Sequence, residues 1–61
     1  MNKEEIKVGS LVYAYRTRLH YGVGIVVGNE VRSQTVFFTV FWTGLLKTYR
    51  GYAAVQLELI P

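Results

Sequence analysis

The sequence predicts an all-β domain: a small barrel of five short strands, with one 3-10 turn before the last strand. Two observations lead there. Residues 35–42 (Thr-Val-Phe-Phe-Thr-Val-Phe-Trp) are all β-branched or aromatic, the types that suit a pleated sheet. Turn formers punctuate the rest of the chain at Val8-Gly9-Ser10, within residues 29–34, at Thr43-Gly44 and at Gly51. Strands this short cannot lie flat and still bury their apolar faces. Closure into a barrel answers both the burial and the edge problem.

The central stretch, residues 35–50, reads as a hairpin turning at Thr43-Gly44, with Gly44 supplying positive φ in a two-residue loop. Trp42 then faces Leu45, Val40 faces Lys47 and Phe38 faces Tyr49. One face carries Val36, Phe38, Val40, Trp42, Leu45 and Tyr49, and is the better core. The other carries Phe37, Thr39, Phe41, Leu46, Thr48 and Arg50, which is unusually apolar for an outside. With the register inverted, Phe38, Trp42, Leu45 and Tyr49 would be outside instead. Either way an aromatic face is left for solvent or a partner.

The remaining elements follow in order. Residues 1–7 read as a charged tail ahead of a domain spanning 8–61; Asn2 and Glu5 have the spacing to cap one helical turn. Residues 11–16 form the first strand, with Leu11, Tyr13 and Tyr15 on one side and Val12 and Ala14 on the other. Residues 17–21 are a polar loop. Residues 22–28 (Gly-Val-Gly-Ile-Val-Val-Gly) form the second strand, its glycines marking a sharp curve. Gly22-x-Gly24 lacks the third glycine and the following helix of a phosphate-binding loop. Residues 29–34 connect to the hairpin. Gly51 ends the fourth strand, residues 52–56 suit one 3-10 turn, and residues 57–60 form the last strand before Pro61.

Composition bounds the function. Sixty-one residues make one domain, which buries only about 60% of its unfolded-chain surface. With no Cys, no disulfide supports it. With no Asp and a single His, a structural zinc site is not expected. Hydrophobic residues are 51% of the chain and charged residues 18%, so the interior cannot hold every apolar side chain. The net charge of +3 permits nucleic-acid binding without arguing for it. No apolar run approaches a membrane span, and no apolar segment follows Met-Asn-Lys-Glu-Glu to make a secretory signal. A cytoplasmic protein is expected, without a cofactor.

The segments Val8-Gly9-Ser10-Leu11-Val12, Gly22-Val23-Gly24-Ile25-Val26, Val40-Phe41-Trp42 and Leu57-Glu58-Leu59-Ile60 together resemble the small SH3-like barrels. More narrowly, they are similar to short uncharacterised phage and bacterial proteins of the "VGDLV…GIV…W…LELI" type, with Ser10 standing where that pattern has Asp. The resemblance covers about residues 6–60. It implies an RT-like loop at residues 16–21 and, for a phage protein, a place in the host cytoplasm or the virion. It implies no single function, because such barrels bind proline-rich peptides, nucleic acids, ribosomes and virion parts. The acidic loop that pairs with peptide arginines is missing: this loop carries Arg16, Arg18 and His20. Basic proline-rich ligands are therefore not expected.

No catalytic set is visible. His20 has no Asp to orient it, Ser10 lies in a distant turn, and Glu4, Glu5, Glu30 and Glu58 form no pair by spacing. A non-enzymatic binding or assembly module is expected. Its protein-contact surface is assigned to Phe37, Phe41 and Leu46, with Leu11 near, for docking on a partner or on a second copy. The alternative is nucleic-acid binding through Arg16, Arg18, Lys47 and Arg50 with Tyr13, Tyr15 and Tyr49, cations meeting phosphates and rings stacking on bases.

Overall fold

The β-rich stretches pair into one antiparallel sheet in this computed structural model, which describes residues 5–14 and 18–60, the side chains of 18 and 19 apart. The elements are β1 (Leu11–Ala14), a single helical turn α1 (Arg18–Tyr21), β2 (Gly24–Arg32), β3 (Thr35–Trp42), β4 (Lys47–Ala53), a 3-10 turn (Ala54–Gln56) and β5 (Leu57–Leu59). Strand order across the sheet is β4-β3-β2-β1-β5. The Gln56 side-chain oxygen accepts from the Ala53 N–H at 2.8 Å and closes the start of the 3-10 turn.

Val12, Ala14, Val26, Phe38, Val40, Trp42 and Leu57 are buried in one cluster. The even-numbered face of β3 is thus the core, as the side-chain pattern indicates. Gly24 lies opposite Trp42 and makes room for it. A Cβ at Gly24 would stand 2.5 Å from the Trp42 ring and 2.6 Å from Val40.

Both hairpins depart from the expected geometry. β2 runs on to Arg32, so the connection to β3 is only Ser33-Gln34 rather than residues 29–34. Both residues have positive φ (49° and 67°), as a type I′ turn requires. Between β3 and β4 the last pair is Trp42 with Lys47, which leaves a four-residue loop. The N–H groups of Leu45 and Leu46 both donate to the Trp42 carbonyl, at 3.2 and 2.8 Å. The left-handed residue there is Leu46 (φ 55°), not Gly44. Gly44 serves close approach instead. Its N–H donates to the Tyr21 carbonyl at 2.8 Å, and a Cβ would stand 2.5 Å from that oxygen.

The altered loop changes the pairing: Val40 faces Tyr49, and Phe38 faces Tyr52. Arg50 and Gly51 (φ 92°) together oppose Thr39, a bulge in β4. β2 carries a second bulge at Val27, between Val26 and Gly28, and Gly28 again pairs with Thr39. Bulges bend a strand and raise its local twist. Two of them flanking one residue of β3 fold the sheet across a line through Thr39.

That bend curls the sheet without closing it. β4 and β5 are its two edges and share no ladder among the described residues. β5 is three residues long and its ladder goes to β1, so the 3-10 turn, in contact with both β3 and β5, spans the gap instead. Openness explains why Tyr49, placed in the core by side-chain alternation, is exposed: it lies on an edge strand. Val36 is exposed because the tip of the β2–β3 hairpin runs past the core. Ile6, ahead of the boundary read at residue 8, packs against the core. The polar stretch 17–21 contains α1, whose Tyr21 ring covers Trp42.

Candidate functional site

Register places five side chains in one row on the outer face. Leu11 pairs with Ile25, Ile25 with Phe41, and Phe41 with Thr48. The Ile60 N–H donates to the Leu11 carbonyl at 2.8 Å, which continues the β1–β5 register one residue further. Directly paired residues point to the same side of a sheet. The row Ile60–Leu11–Ile25–Phe41–Thr48 therefore crosses every strand, about 19 Å at ordinary strand spacing. Four of its five members are apolar. Leu11 is 45% exposed, and Ile25, Phe41 and Ile60 are half-buried. Beside it, Val27 is exposed at the β2 bulge and Leu46, at 77% exposure, caps the β3–β4 loop.

The four expected contact residues do not form one cluster. Leu11 and Phe41 share the row, joined by Ile25, which sequence reasoning missed along with Ile60. Alternation marks Ile25 as facing away from Gly24 and Val26. Only the register shows that it bridges Leu11 to Phe41. Leu46 stands at the loop. Phe37 lies beyond the bend, paired with Glu30 and Ala53. It is half-buried rather than open to water, as is Phe41, because neighbouring strands and their side chains flank both rings.

Phe37 lines a small cleft of about 130 Å³ with Glu30, Arg32, Arg50 and Gly51. The Arg32 guanidinium pairs with the Glu30 carboxylate. A larger groove of about 810 Å³ lies on the core side of the hairpin tip, between Ile6, Val36, Phe38 and Val55, with Glu5 and Gln34 among its polar residues.

The basic and tyrosine set is dispersed. Tyr15 and Arg16 lie outside the described residues, as does the Arg18 side chain. Lys47 and Tyr49 are on the core side of β4, Arg50 lines the outer cleft, and Tyr13 faces outward beside Glu58 on the far side of the sheet. Tyr21 and Tyr52 are engaged by Trp42. Their rings lie 5.3 and 5.6 Å from the indole, and the Trp42 Nε1–H donates to the Tyr52 hydroxyl at 3.0 Å. His20 is exposed, its ring 5.6 Å from that of Tyr21. Among the described residues no three His, Asp, Glu or Cys side chains gather as a metal site, and no helix is long and apolar enough to cross a membrane.

No family model matches the chain, and neither a curated protein nor a solved structure matches it.

Proposed function

We propose that this chain is a non-catalytic binding or assembly module, a small SH3-like domain of the phage or bacterial accessory type, docking on another protein through the outer face of its sheet. The observation that carries this reading is the apolar row from Ile60 to Phe41, which runs across four strands on the side away from the core. The order of elements, with a single 3-10 turn before the last strand, supports the SH3-like part of the reading.

The energetics fit docking rather than core formation. Fully burying a Leu, Ile or Phe is worth about 1.5–3 kcal/mol. A little under half of that remains available at Leu11, and a smaller share at Ile25, Phe41 and Ile60. The sum is a few kcal/mol, set against an association cost of roughly 4–15 kcal/mol. The row alone gives weak contact, and specific docking needs a further anchor.

The test is residue-resolved. 15N spectra are recorded as protein concentration rises, and then in extract of the cells that make the protein. The amides of Leu11, Ile25, Phe41 and Ile60 are expected to shift or broaden ahead of those of Val12, Val26 and Val40. Spectra unchanged in both series, or changed equally on both faces, would overturn the reading.

A further inference from the structure

The cleft around Phe37 supplies the missing anchor, and it is on the same outer face as the row, across the bend. Of the two arginines that line it, Arg32 is neutralised by Glu30. Arg50 has no acidic partner among the described residues, so the cleft carries one uncompensated positive charge. The aromatic ring of Phe37 forms an apolar wall. Gly51 adds no side chain to the cleft, and apart from its two chain neighbours nothing lies within 4 Å of where its Cβ would stand.

Resting on the outer-face reading, we propose that the partner is an acidic protein segment, one of whose Asp or Glu side chains enters this cleft and pairs with Arg50 while apolar neighbours lie along the row. A guanidinium fork matches a carboxylate with two parallel hydrogen bonds. The cleft is about the size of such a group on a short stem. The chain's charge of +3 draws an acidic partner toward it. A nucleic-acid backbone fits this cleft less well: holding a run of phosphates takes several cations, and of the two arginines lining the cleft one is already paired with a carboxylate.

The experiment titrates 15N-labelled protein with two blocked peptides, acetyl-Leu-Glu-Leu-Glu-Leu-amide and its Lys counterpart. The Glu peptide is expected to move the amides of Phe37, Arg50 and Gly51 and to bind about tenfold more tightly than the Lys peptide. That advantage should shrink at about 0.5 M salt, where screening is short-ranged. Arg50→Glu should reverse the preference, and since Arg50 is exposed the fold should be retained. Equal affinity for the two peptides, or shifts elsewhere, would overturn the acidic-partner proposal. Shifts confined to Leu11, Ile25, Phe41 and Ile60 with either peptide would leave the outer-face reading standing while removing this one. Silence of the whole outer face toward both peptides would overturn this proposal, while the concentration and extract series decide the outer-face reading.

Discussion

Trp42 is fully buried, and the residues around it are selected by size and by one hydrogen bond. Gly24→Ala would push a methyl into the indole ring and the Val40 side chain, neither of which has space to retreat. A loss of about 1–3 kcal/mol is expected in urea unfolding, the usual cost of overpacking. Tyr52→Phe would leave the buried indole N–H without its acceptor, at a cost of about 1–3 kcal/mol. Burial raises the Tyr52 pKa, the Trp42 hydrogen bond opposes that rise, and Tyr21 and Tyr49 reinforce it. Well below pH 10 the phenol is neutral in both folded and unfolded chains, and its contribution is complete. Above that the unfolded chain ionises first, so stability falls as pH rises through the folded pKa. Stability measured from pH 8 to 11 should therefore fall less steeply in Tyr52→Phe than in the parent; equal slopes would contradict this. The glycines of β2 are legible as a sign of curvature. That Gly24 specifically yields to Trp42 is not, because the pairing that brings them together is set by tertiary register.

At the scale of elements, β3 is the most legible part of the chain, since its composition admits little but a strand. The turns beside it are less legible. Thr43-Gly44 has the look of a two-residue turn, but Gly44 is small because the Tyr21 carbonyl approaches it, and the strained position falls on Leu46. At the other end, Ser33 and Gln34 occupy left-handed conformations that Asn-Gly would adopt at lower cost. The double change Ser33→Asn with Gln34→Gly should raise stability by about 1 kcal/mol, or roughly 4–8 °C in Tm for a domain this small. No rise would mean that the turn is not type I′ in solution. The paired bulges at Thr39 have no visible signature beyond Gly28 and Gly51, because a bulge is a relation between strands.

For the whole molecule, sequence inventory correctly finds more apolar side chains than a 61-residue interior can hold. It misplaces part of the surplus. Phe37 and Phe41 are half-sheltered, Ile25 and Ile60 join the exposed strip, and the open edge leaves Tyr49 to solvent. The edge argument predicts closure, but β5 is too short to supply a ladder to β4. Leu46→Lys should change folding stability by less than about 0.5 kcal/mol, since a residue 77% exposed contributes little to the interior. A larger change in chemical denaturation would place Leu46 in a contact within the monomer.

The outer face is most directly tested by photo-crosslinking in the cells that make the protein, with a benzophenone amino acid at position 11, at position 41 or, as a core-side control, at position 47. Positions 11 and 41 should yield one adduct of the same mass, and position 47 none. Adducts that are absent from 11 and 41, or equally abundant from 47, would contradict a docking surface built on this row.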